Sequence, residues 1–150
     1  DFYYGLNLKL SYKNWDFGFN GHGSIGYKVF NDFASNHSTA YFDVNAGNLP
    51  NFATAVKRTG FTQISGDYQF FSDFYLENAS FFRMDDINLG YTFKEIGNWQ
   101  GNIRVAASCQ NVFVITNYSG IDPEINSTDG VDRTFWPRPR TFSVRLNVNF

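Results

Sequence analysis

Asp122, Glu124, Asn126, Asp129 and Asp132 crowd oxygen donors into one short stretch. Oxygen at that density suits a hard cation such as calcium, which takes about six to eight oxygen ligands. The spacing is not that of an EF-hand, because Gly130 is misplaced and no bidentate glutamate follows. A solvated turn therefore competes with a weak calcium site at Asp122, Glu124 and Asn126, and no other metal or cofactor is expected. Nearby, Tyr118 and Trp136 offer ring faces that could stack on a sugar; packing within a loop or an aromatic girdle is the alternative. Pro137-Arg138-Pro139-Arg140 fixes two φ angles and removes two N–H donors. That makes a stiff segment whose Arg138 and Arg140 either anchor a loop by ion pairing with carboxylates or serve a structural role alone.

Catalytic chemistry is harder to find. Asp85-Asp86 is the only repeated carboxylate signal, and on a strand neighbours face opposite sides, so the two are not expected to work as a pair. His22 and His37 lie far apart with no ligand-like spacing, which makes a zinc site improbable. No GxSxG motif, phosphate-cradling loop or Cys/His constellation occurs, so no enzyme is expected. The single cysteine, Cys109, excludes an internal disulfide framework. A net charge of −2 gives no electrostatic case for nucleic acid.

The segments that must position these residues read as β-strands. Thr141 to Phe150 alternates strictly: Phe142, Val144, Leu146, Val148 and Phe150 take one face, and Thr141, Ser143, Arg145, Asn147 and Asn149 the other. That is a strand with lipid on one side and water on the other, ending on an aromatic carboxylate in the manner of bacterial outer-membrane barrels. Near the start, Phe2, Tyr4, Leu6, Leu8, Leu10 and Tyr12 oppose Tyr3, Gly5, Asn7, Lys9 and Ser11. Aromatics at both ends of the apolar row fall where two membrane interfaces would lie. After a tight turn at Lys13-Asn14 a second strand runs over 15–28, where Gly18, Gly21, Gly23 and Gly26 mark a bend or a close approach. Alternation resumes over 81–93 and 101–115, the latter with Cys109 on the lipid side. Between the strands lie long loops at about 29–80 and 116–140; the first is expected to hold short strands or a helical turn around Asn51 to Lys57.

Composition fits this class. Aromatics make up 20% of the residues and charged residues 17%, while the mean hydropathy is −0.34, because in a barrel each outward apolar residue is offset by an inward polar one. No run of apolar residues is long enough for a transmembrane helix. No secretory signal is present; it was cleaved, or the chain begins far from the true N-terminus, as Asp1 opening directly into a strand suggests. Short connections at 13–14 and 94–100 alternate with the long ones, the asymmetry of periplasmic turns and extracellular loops. With the C-terminus in the periplasm, counting back places both long loops outside the cell. Five strands cannot close, since an open edge in hydrocarbon leaves backbone groups unpaired at several kcal/mol each. The chain is therefore expected to be the C-terminal part of a larger all-β antiparallel barrel. The alternative is a free-standing small barrel, structural or adhesive, with three more strands hidden in 29–80.

Four stretches, Leu76 to Phe93, Ala107 to Phe113, Tyr118 to Glu124 and Pro137 to Phe142, resemble in order the barrel end of SusC/RagA-like TonB-dependent transporters of Bacteroidetes. Residues 1–75 match only in general style, and Met84 and Cys109 stand where aliphatic or small residues are more usual. The resemblance implies a 22-stranded barrel with a plugged lumen, of which these are the last five strands. It also implies import of oligosaccharides or peptides under a SusD-like lipoprotein lid, driven through TonB by way of a plug region this chain lacks. The remaining partners it implies are the rest of the barrel, outer-membrane lipid and the barrel-assembly machinery, which would read the strand ending at Phe150.

Overall fold

The computed structural model describes residues 1–37, 40–41, 62–63, 72–96, 99–125, 129–133 and 136–150. In chain order the elements are β1 (Phe2–Tyr12), β2 (Trp15–Ile25), β3 (Lys28–Asn31), α1 (Asp32–His37), β4 (Ala40–Tyr41), β5 (Thr62–Gln63), a 3-10 turn (Asp73–Tyr75), β6 (Leu76–Asn78), β7 (Phe81–Ile96), β8 (Trp99–Thr116), β9 (Val131–Asp132) and β10 (Thr141–Asn149). They form two compact units, one of residues 1–26, 80–116 and 138–150, the other of residues 27–79 and 117–137.

The first unit is one antiparallel sheet in the order β1-β2-β7-β8-β10. Its registers align the apolar rows of neighbouring strands. Leu10 faces Phe17, which faces Leu89, which faces Ala107, which faces Val144. Because the side-chain period is two, this fixes one face as apolar across all five strands and the other as polar. Almost every residue of β1 and all of β10 are exposed. The sheet thus has no apolar core of its own, as expected where one face meets lipid and the other water. Aromatics gather at both ends of the apolar face: Phe2, Tyr4 and Phe82 stack at one, and Trp15, Tyr91 and Phe93 at the other. Gly21 and Gly23 are the close-approach kind of glycine. A Cβ on Gly23 would meet Tyr4 Oη and the Phe81 carbonyl at 2.5 Å, and one on Gly21 would meet the Phe82 ring.

Two boundaries differ from those read off the sequence. The strand expected over 15–28 stops at Ile25, where Gly26 turns with φ +93° and its N–H donates to Ser80 Oγ at 3.0 Å. Lys28 onward belongs to another sheet. The strands expected over 81–93 and 101–115 each run further, to Ile96 and from Trp99 to Thr116.

The second unit holds a small sheet in the order β6-β3-β9, with β3 antiparallel to β6 and parallel to β9. Asn31 caps α1, its Oδ1 accepting from Ala34 N at 2.9 Å. Val29, Ala79 and Tyr118 form the buried core, with Tyr27 and Ile125 packed against it. The short strands described between residues 28 and 80 pair among themselves and with β9, none of them with the five-stranded sheet. The helical turn expected around Asn51 to Lys57 lies outside the described residues. No described helix is long and apolar enough to cross a membrane.

Candidate functional site

The polar face of the sheet carries the charged machinery. Arg104 on β8 grips Asp16 on β2 in a two-pronged pair, Nε donating to Oδ1 at 3.0 Å and Nη2 to Oδ2. These strands are not neighbours; β7 runs between them. The pair can cross because the intervening residue is Gly90, registered against Asp16 and without a side chain to block the way. Further along, Asp86, Arg104, Gln110 and Arg145 border a polar concavity of about 520 Å³.

A bulge changes what simple alternation predicts. Pairing shifts between Asn20 and Gly21 and between Met84 and Asp86, which leaves Asp85 as an extra residue in β7. Asp85 Oδ2 lies 2.6 Å from His22 Nδ1, and Asp86 Oδ1 accepts from Asn88 at 3.1 Å. His22 and Asn88 both sit on the polar rows, so both carboxylates lie on that face, against the expectation that they point apart. Each is held by a separate partner. Around His22, Tyr3 lies at 5.7 Å between ring centroids and Phe81 at 5.5 Å edge-on, and the Arg83 guanidinium sits over Phe81. Strand reading missed this cluster, although an aromatic at position 3, on an otherwise polar row, was a visible signal.

The same irregularity reaches β8. Asn111 has φ +51°, a left-handed conformation that asparagine tolerates better than most side chains. Its Oδ1 accepts from buried Arg83 Nη1 at 2.7 Å, and its Nδ2 donates to the Arg138 carbonyl at 2.7 Å and more weakly to that of Pro139. Arg140 Nε donates to the Asn111 carbonyl at 3.5 Å. The Pro-Arg-Pro-Arg segment is thus held through its backbone by Asn111, and Arg140 bonds a main-chain oxygen. Beyond it, Phe142, Val144, Leu146, Val148 and Phe150 line the apolar face, all exposed.

In the second unit, Tyr118 is not available to stack on a ligand. Only 6% exposed, it packs among Val29 and Ala79 and its Oη donates to Asp132 Oδ2 at 2.8 Å. It takes the loop-packing alternative. Burial, and then the hydrogen bond to the Asp132 carboxylate, push its phenol well above the usual range. Trp136, by contrast, is 84% exposed. Three aspartates of the oxygen-rich run make protein contacts. Asp122 Oδ1 accepts from Glu124 N, Asp129 pairs with Arg133, and Asp132 takes the Tyr118 hydroxyl. Asn126 lies outside the described residues, and among the described residues no His/Cys/Asp/Glu group is arranged to hold a metal.

Tyr118→Phe should cost the unit about 1–3 kcal/mol, because Asp132, 2% exposed, loses a bond it cannot replace with water. A phenol whose folded pKa is raised favours folding below its unfolded value of about 10, and that advantage is lost as pH climbs beyond. Beyond the base-catalysed rise common to all amides, hydrogen exchange around Val29 and Ala79 in the full-length protein should therefore accelerate above about pH 10 in the wild type and much less in Tyr118→Phe. Equal alkaline acceleration in both would remove Tyr118 from that role.

No family model matches the sequence. The TonB-dependent receptor SusC of Bacteroides thetaiotaomicron is 39% identical over 97% of the chain, and TonB-dependent receptor P3 of Formosa agariphila is 28% identical over all of it. The chain spans only 15% and 16% of these relatives' lengths. Among solved structures, the RagAB peptide transporter superposes with a TM-score of 0.67 at 21% identity, over 96% of this chain and 16% of that one. The RagAB peptide importer in its open-open state gives 0.66 at 19% identity, over 97% and 17%. At such identities these two show the fold. With a sheet suited to lipid on one side and water on the other, and TonB-dependent receptors matching it along nearly its whole length, the chain belongs to the SusC/RagA-like TonB-dependent transporters, a family of outer-membrane β-barrels.

Proposed function

We propose that these residues form wall and extracellular loops of an outer-membrane importer of oligosaccharides or peptides. The observation that carries this reading is the two-faced sheet, matched along nearly its whole length by SusC and in fold by a peptide importer. β1 and β10 are the edges of the sheet. Edges in hydrocarbon must be paired, so further strands complete the barrel, 22 in all, with these as the last five. The protein is not an enzyme in this reading. A SusD-like lipoprotein closes over the extracellular side, and energy arrives from TonB through the plug. β10 descends to a periplasmic C-terminus, and the loops at about 29–80 and 116–140 are extracellular in this reading.

Removing the full-length gene should abolish energy-dependent growth on the imported nutrient. Growth on every oligosaccharide and peptide source unchanged by the deletion would sink the importer. Within the same reading, β10 and Phe150 are what the barrel-assembly machinery recognises. Deleting Phe150 should lower the amount of folded barrel several-fold while the barrels that do form bind substrate normally. An unchanged yield would remove that role from Phe150.

A further inference from the structure

Tyr3 is an aromatic on the polar side of the sheet, at the end away from the Lys13-Asn14 turn. Its row neighbour across β2 is Ser24, and the next polar position of its own strand is Gly5. Yet its ring is braced from one side by His22, which in turn meets the edge of Phe81. His22 also fixes Asp85 through Oδ2. Asp85 Oδ1 has no hydrogen-bond partner among the described residues, and the side chain is about a third exposed. The bulge is what brings this carboxylate to the polar face at all.

We infer that Tyr3 and Asp85, positioned by His22, form a subsite for one sugar ring of an oligosaccharide. The inference rests on the importer reading and narrows it to glycans. A sugar ring has a face of C–H groups, weakly positive, that suits the negative face of a phenol ring, and hydroxyls around its rim that donate to a carboxylate. The cluster offers one of each, side by side through His22. A cationic peptide side chain fits less well, because Arg83, registered against His22, holds its guanidinium over the Phe81 ring and so adds a permanent positive charge to the same cluster. Gly5, the next residue of the polar row of β1, is registered against His22. No bulky side chain at Gly5 therefore competes with a ligand for the Tyr3 ring.

The test is calorimetry on the full-length transporter with short neutral oligosaccharides of glucose, fructose and mannose, and separately with a tryptic peptide digest. The wild type should bind at least one of the oligosaccharides. Tyr3→Ala should weaken that binding by about tenfold or more, Tyr3→Phe should stay within about twofold, and Asp85→Asn should fall between, at equal yields of folded barrel. Oligosaccharide binding unchanged in Tyr3→Ala overturns the subsite, as does binding of the peptides alone or of neither probe. If uptake still depends on the gene in those cases, the importer stands and only the subsite falls; if it does not, the importer itself has failed.

Discussion

Gly90→Val should leave little folded barrel. A Cβ built on Gly90 would lie 2.5 Å from both Arg104 Nη2 and Asp16 Oδ1, inside the pair that reaches over β7. With strands about 4.8 Å apart, that pair spans roughly 9.6 Å across the sheet, and a glycine is what keeps its path open. The variant must either displace the pair or distort β7. Overpacking costs about 1–3 kcal/mol and losing charged hydrogen bonds about 1.5–3 kcal/mol. Because both partners are about a third exposed, water recovers part of the second cost, and a total of about 3 kcal/mol is expected. In the full-length protein this reads out as the heat-modifiable fraction on a gel. The cause is separable from a general intolerance of side chains at that position. In a background where Asp16→Ser and Arg104→Ser remove the pair, Gly90→Ala should be nearly neutral, whereas in the wild-type background it should not. Equal effects in both backgrounds would show that Gly90 does not serve the pair.

The five long strands were legible because a strand between lipid and water keeps period two over most of its length, as Phe142 to Phe150 does throughout. What alternation cannot encode is a residue that breaks it. Met84-Asp85-Asp86 reads as three ordinary strand positions, and nothing local says that Asp85 is extra, since the bulge is defined by the pairing partners Gly21 and Asn20 some sixty residues earlier. The same holds for Gly90, whose need to be glycine comes from Asp16 and Arg104 on two other strands. In the second unit the sheet is assembled from residues 28–31, 76–78 and 131–132, each too short to show a period. Its interior is also polar. Glu77 takes hydrogen bonds from Asn31 and from both the N–H and the hydroxyl of Ser119. An acid such as Asp132 therefore looked like a cation ligand in a solvated turn, although it is a buried acceptor for Tyr118. Tyr3 stands in the sequence as an exception to its row, while Trp136, which is exposed, and Tyr118, which is buried, were not distinguishable without the fold.

Asn111 should prove the residue on which the approach to β10 depends. Its side chain joins Arg83 in β7 to the carbonyls of Arg138 and Pro139, and β10 begins pairing one residue away, Thr141 against Gln110. Two separate requirements meet at this position: a backbone at φ +51°, and an amide that accepts on one side and donates on the other. Asn111→Gly keeps the first and loses the second, leaving buried Arg83 without that acceptor, at about 2 kcal/mol. Asn111→Val loses both and adds about 1–2 kcal/mol of backbone strain. Asn111→Asp keeps the acceptor for Arg83 but turns a carboxylate toward two carbonyl oxygens. Trypsin reports the consequence directly, since it does not cut between Arg138 and Pro139 but does cut between Arg140 and Thr141 once that segment lifts. Cleavage after Arg140 in the full-length barrel should quicken by about tenfold or more in Asn111→Gly and further in Asn111→Val, with Asn111→Asp also faster than wild type. Wild-type cleavage in Asn111→Gly with fast cleavage in Asn111→Val would mean that only the backbone angle matters. Wild-type cleavage in both would mean that β10 is held in place without Asn111.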